Sequence, residues 1–265
     1  MKTWIGTSWK MNKLLGEALD YSKKLMEHPK VPHDDIIRFI AAPFTCARQV
    51  KELLSHTEIK VGAQNMHWET TGQWTGEISP LMLTDCGLDF VEIGHSERRE
   101  NFNETDHSVG LKVASAVRHG LVPVMCIGET SAIKDAGQTD LFLQNQIQIG
   151  LSELKPSEKS SPIVIAYEPV WAIGEEGTPA STDYAAKRHK SISEVATNIL
   201  GRAPAVIYGG SVNLDNCVEL IEKPEINGLF IGRAALDPKG FIDIISLVSD
   251  CLSARKKHHQ VRHSP

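Results

Sequence analysis

The most chemically suggestive stretch of the chain is residues 162–174. An apolar, β-branched run, Pro162-Ile163-Val164-Ile165-Ala166, reads as a strand buried on both faces. Just beyond it stands a lone carboxylate, Glu168, and Pro169 then fixes φ and stops further strand pairing. Val170-Trp171-Ala172-Ile173 follows, with Gly174 as the exit. A carboxylate at the carboxyl end of a strand, with an apolar flap behind it, suits a general base shielded from water. On this stretch alone, a capping or ion-paired Glu beside a helix fits equally well. Three further groups have matching chemistry. Lys10 offers a point charge, His95 can polarise a carbonyl, and the turns Gly209-Gly210-Ser211 and Gly232-Arg233 free backbone N–H groups to approach an anion.

These residues are far apart in sequence, so the elements between them must bring them together. Short apolar runs recur near Trp4–Gly6, Ile37–Ala41, Ile59–Gly62, Leu88–Ile93, Val122–Ile127, Ile163–Ala166, Ala205–Tyr208 and Gly228–Ile231. Longer segments of helical spacing separate most of them, at Leu14–Met26, Gln49–Leu54, Ser108–Arg118, Leu141–Leu154, Asp183–Leu200, Asp215–Ile221 and Phe241–Leu252. Eight buried strands alternating with helices predict an α/β protein with a parallel sheet, and the count matches a single-domain (β/α)8 barrel. A doubly wound sheet is the rival. In a barrel, chemistry sits where strands end, and each candidate above follows a predicted strand. The expected domain spans residues 1–252. Residues 253–265, basic and nearly without apolar side chains, read as a frayed tail.

Bulk properties narrow the function further. A hydrophobic fraction of 41% and a charged fraction of 23% are ordinary for a soluble globular chain. A net charge of -5 argues against a general nucleic-acid surface, while leaving room for a local cationic pocket. The five cysteines are odd in number and widely spaced, with no C-x-x-C pair, so neither a disulfide framework nor a metal site is expected. No signal peptide or membrane span is evident, and a cytoplasmic protein with no membrane partner is expected.

Taken together, Trp9-Lys10-Met11-Asn12, Gly94-His95-Ser96-Glu97-Arg98-Arg99, Ala166 to Gly174 and Tyr208-Gly209-Gly210-Ser211 resemble the triosephosphate isomerase family. Thr75-Gly76-Glu77-Ile78-Ser79 and Cys126-Ile127-Gly128-Glu129 agree, and the likeness runs to about residue 250. The resemblance implies a cofactor-independent sugar-phosphate isomerase. In it, Glu168 moves a proton between adjacent carbons, His95 hydrogen-bonds the enediolate oxygens, and Lys10 offsets negative charge. It implies supporting roles for Glu97 and Cys126, and phosphate contacts at Gly174, Ser211 and Gly232. It also implies a mobile lid over residues 169–179, including Pro169, Val170, Trp171, Ala172 and Ile173. A homodimer formed through the loop around Thr75 is a further implication.

Two departures bear on the substrate. The family has Asn immediately before the Trp-Lys pair, where this chain has Ser8, and Gly-Gly after the eighth strand, where it has Gly232-Arg233. Ser8 and Arg233 therefore join the expected substrate-binding residues. A shorter side chain beside the carbon skeleton implies a larger substrate. The sequence is similar to the branch of the family that converts L-erythrulose 1-phosphate to D-erythrulose 4-phosphate in erythritol breakdown. Ordinary interconversion of dihydroxyacetone phosphate and D-glyceraldehyde 3-phosphate is the alternative. A catalytically silent barrel used for binding is a third reading, opposed by the intact Lys10, His95 and Glu168.

Overall fold

The structure, a computed structural model, describes residues 2–27, 35–174 and 177–262, with side chains as far as residue 256. Eight strands form: β1 (Thr3–Ser8), β2 (Ile36–Ala42), β3 (Lys60–Ala63), β4 (Phe90–Ile93), β5 (Val122–Ile127), β6 (Val164–Tyr167), β7 (Ala205–Tyr208) and β8 (Gly228–Ile231). Each pairs in parallel with the next. β8 pairs back onto β1, with Trp4 opposite Gly228, and the barrel closes. The expected (β/α)8 architecture is therefore the observed one, and the doubly wound alternative is excluded by the closure.

Among the described residues ten α-helices surround the barrel: α1 (Leu15–Glu27), α2 (Phe44–Leu53), α3 (Pro80–Asp85), α4 (Ser96–Asn101), α5 (Asp106–Arg118), α6 (Ser131–Asp135), α7 (Thr139–Gly150), α8 (Thr182–Leu200), α9 (Cys217–Glu222) and α10 (Pro238–Arg262). The hydrophobic spacing picked out the longer ones. It also found the six-residue α9 within Asp215–Ile221 but missed α3, α4 and α6, which have five or six residues each and give little room for a periodic stripe. Side-chain caps start these short helices instead: Ser79 accepts from the Met82 N–H, and Thr130 from the Ile133 N–H.

Strand alternation divides the core in two. Outward residues such as Ile5, Ile40, Val91, Ile165 and Val206 pack against the helices. Inward residues, among them Trp4, Phe39, Phe90, Val124, Val164, Ile207 and Phe230, fill the barrel. Burial on both faces is why the strands read as continuous apolar runs. Phe39 and Phe90 meet edge to face with centroids 5.3 Å apart. Gly6 and Gly62 lack the Cβ that would strike these two rings. Toward the carboxyl ends of the strands the inward residues become small or polar, as at Ser8, Glu92, Cys126 and Ala166. The fill stops there and a mouth opens.

The chain's end differs from the frayed tail expected from residue 253. Helix α10 continues to Arg262, and Arg255 donates to the carbonyls of Ile221 and Glu222 at the end of α9. Those carbonyls lack intrahelical partners, so a guanidinium there satisfies them and holds the helix against the barrel. None of the helices searched among the described residues is long and apolar enough to cross a membrane.

Candidate active site

Glu168 follows β6 directly. Its N–H donates to the Ile127 carbonyl at 2.8 Å, continuing the pairing of β5 with β6 by one residue. Its backbone carbonyl lies against Gly128, and its Cγ lies where a Cβ on Gly209 would approach to 2.7 Å. A residue larger than glycine at either place would push the carboxylate out of position. Glu168 is 3% exposed, and its Oε2 has no hydrogen-bond partner among the described residues.

His95 is the N-cap of α4, and its Nδ1 accepts the Glu97 N–H at 3.1 Å. A ring nitrogen that accepts cannot carry a proton. In the neutral ring the proton therefore sits on Nε2, which is 3.7 Å from Glu168 Oε1. Lys10 adopts φ 51°, a left-handed conformation uncommon outside glycine. Gln64 donates to the Lys10 carbonyl at 3.0 Å and to the Ala41 carbonyl at 3.1 Å, which ties that turn down. The Lys10 ammonium donates to Glu97 Oε1 at 2.6 Å. Burial works to raise the Glu97 carboxyl, but the Lys10 hydrogen bond and the charges of His95 and Lys10 outweigh it and hold it below the ordinary range.

These groups line one cavity of about 450 Å³ at the barrel mouth, where Ser8, Lys10, His95 and Glu168 meet Gly174, Ser211, Gly232 and Arg233. Arg233 donates to the Gly174 carbonyl at 2.9 Å, a bond that joins the turn after β8 to the far end of the segment following Glu168. Glu175 and Glu176, the two acids next along the expected lid, lie outside the described residues. The near end of this segment is firmly held. Trp171 donates through Nε1 to Glu129 at 2.9 Å, Tyr184 donates to the same carboxylate at 2.9 Å, and Tyr167 at 3.1 Å. The Lys134 ammonium lies 3.4 Å from the centre of the Trp171 ring.

Sequence reasoning passed over one residue of this site. Glu92 points inward from β4, is 2% exposed, and accepts a hydrogen bond from Ser8 Oγ at 2.8 Å. Glu92, His95 and Glu168 each present a donor-type atom within 4.8 Å of the others, so two carboxylates and an imidazole share a space as small as a metal site. Burial, helped by the charge of Glu168, pushes the Glu92 carboxyl up to about 7, against the opposing influence of His95, Ser8 and Lys10. Cys126 sits beside this group, its thiol raised first by burial and then by the charges of Glu168 and Glu92. The signal available in sequence was a charged residue inside the run Phe90-Val91-Glu92-Ile93, where both faces of the strand are buried.

Comparison with known proteins agrees with this geometry. Residues 3–248 match the family model described as triosephosphate isomerase. A protein of Rhizobium meliloti (strain 1021) named L-erythrulose-1-phosphate isomerase is 56% identical over 93% of this chain and 96% of its own length. Proteins of the same name from Mesorhizobium japonicum and Brucella abortus (strain 2308) are each 55% identical, over 93% and 92% of this chain and 97% and 96% of their own lengths. The barrel closure, the full-length family match and these relatives agree: the chain belongs to the triosephosphate isomerase family.

Proposed function

We propose that this protein isomerises L-erythrulose 1-phosphate to D-erythrulose 4-phosphate by enediolate proton transfer, in erythritol catabolism. The observation that carries the choice of substrate is the name shared by relatives 54–56% identical over more than nine-tenths of the chain. Ser8, where the family's common sequence has Asn, supports it by leaving room for one more hydroxymethyl group. In this reading the Glu168 carboxylate removes the proton from C3, the C–H electrons form the C2–C3 double bond, and the C2 oxygen becomes anionic. The Nε2 proton of His95 hydrogen-bonds that oxygen, and the Lys10 ammonium offsets its charge. Protonated Glu168 then returns the proton to C2, the C3 hydroxyl gives its proton to the C2 oxygen by way of His95 Nε2, and the carbonyl re-forms at C3. Backbone N–H groups of Gly174, Ser211 and Gly232, with Arg233, hold the phosphate. Residues 169–179 close over the site, because an exposed enediolate phosphate would eliminate its phosphate group.

The test compares kcat/KM for L-erythrulose 1-phosphate with that for D-glyceraldehyde 3-phosphate. A preference of at least about 10-fold for the tetrulose is expected, given what a pocket gains from one added polar carbon. A preference for the triose would replace the proposal with the glycolytic activity. The reading includes a cytoplasmic location, in keeping with five free thiols, and a homodimer. The loop around Thr75 is exposed, and it carries Trp74 at 49% exposure ahead of Met82 at 54%. A sedimentation mass of two chains is the expected measurement.

A further inference from the structure

Glu92 takes no part in the proton transfers above, yet it lies among the groups that carry them out. An aliphatic side chain would fill its place in the barrel at far lower cost than a carboxylate. Ser8 Oγ gives Glu92 its one recorded hydrogen bond among the described residues, and Ser8 itself lines the cavity. The inward layer of the barrel includes the small residues Ala41, Cys126 and Ala166. Behind Ser8, the cavity is therefore backed by a buried carboxyl group, not by an aliphatic side chain.

We infer that Glu92, positioned by Ser8, is the specificity-determining residue that receives the C4 hydroxyl of a tetrulose phosphate. The inference rests on the tetrulose reading above and adds to it the contact that selects the longer substrate. With the phosphate at the turns after β7 and β8, C1 and C2 extend toward Glu168 and His95. C3, which loses its proton to Glu168, comes next. C4 then continues away from the phosphate, toward Ser8 and the carboxylate within 4.8 Å of the His95 and Glu168 ligand atoms. A hydroxyl both donates and accepts, so it pairs with Glu92 in either protonation state. A triose phosphate carries only hydrogen at that position and leaves a buried carboxyl group without its partner. Sites built around a substrate hydroxyl reject analogues lacking it far more strongly than apolar pockets reject a missing methylene.

The experiment pairs a change in the substrate with a change in the protein. L-Erythrulose 1-phosphate and its 4-deoxy analogue are assayed with wild type, Glu92→Met and Glu92→Gln, with folding checked by circular dichroism. For wild type, loss of the C4 hydroxyl is expected to lower kcat/KM about 100-fold or more, and for Glu92→Met by less than about 5-fold. Glu92→Gln, whose amide still pairs with a hydroxyl, should keep most of the wild-type discrimination. Equal turnover of the two substrates by wild type would overturn the inference without any variant having to fold. So would a Glu92→Met enzyme that loses the same factor on both substrates, since that is what a merely structural role predicts. In either case wild type would still prefer L-erythrulose 1-phosphate over D-glyceraldehyde 3-phosphate, and the tetrulose reading would stand. If wild type prefers the triose, that reading fails and takes this inference with it.

Discussion

Two buried carboxylates that take no part in the proton-transfer step show opposite designs. Glu129, fully buried, accepts hydrogen bonds from Tyr167, Trp171 and Tyr184, and its backbone carbonyl accepts from the Val170 N–H at 3.0 Å. Glu92, nearly as buried, has a single donor among the described residues, Ser8, and a second carboxylate close by. Burying a charge is tolerable when donors replace its water, and expensive when they do not. Glu129 is thus an anchor that fixes where the segment after Glu168 begins. Glu92 is a burden on the fold that calls for a functional reason. Glu168 stands between the two: one oxygen lies 3.7 Å from His95 and the other has no partner among the described residues.

The comparison can be pressed hardest at Glu168. Glu168→Gln keeps the shape and removes the base, and kcat is expected to fall by about 1000-fold or more while a phosphate-bearing inhibitor still binds. Unchanged turnover would return Glu168 to the group of structural acids. Glu129→Leu should act on the fold instead. It strands two tyrosine hydroxyls and an indole N–H, and denaturant unfolding is expected to show a loss of about 3 kcal/mol or more. Glu92→Met should do the reverse. Its carboxyl is raised from the ordinary 4.5 to about 7, so the stability it contributes is complete below pH 4.5 and is lost as the pH rises through 7. The variant's advantage over wild type should therefore be small at pH 4.5 and reach about 3 kcal/mol at pH 8. A flat difference across that range would mean that Glu92 is not the group that titrates. Trp171→Phe, which removes one of the three donors to Glu129, is expected to cost about 1 kcal/mol of stability with only a small change in kcat.

Most of the fold could be read from the sequence, because a parallel barrel buries both faces of every strand and leaves eight apolar runs in plain view. Val122–Ile127, Ala205–Tyr208 and Gly228–Ile231 were expected with the bounds they have. The site was legible where a polar residue followed such a run, as at Lys10, His95 and Glu168. Glu92 was hidden for the opposite reason: it lies within the run on β4. Its partner Ser8 is 84 residues away, and only closure of the barrel brings the two together. Lys10 and Glu97, 87 residues apart, make the same point for the charge that faces the cavity. Nor did the sequence reveal that Glu129 has three donors, since Tyr167, Trp171 and Tyr184 meet it only once β5, β6 and α8 are packed.

The glycines on either side of Glu168 carry a consequence for how such an enzyme diversifies. With Gly128 against its carbonyl and Gly209 against its side chain, the base is held by backbone from β5 on one side and β7 on the other. A side chain at either position would displace it, so the placement of the base depends on both glycines. Ser8 and Glu92, which meet from β1 and β4, touch each other through their side chains, and these can be changed without altering those two glycines. The contacts that choose the substrate can therefore be altered while the backbone that holds the base stays as it is.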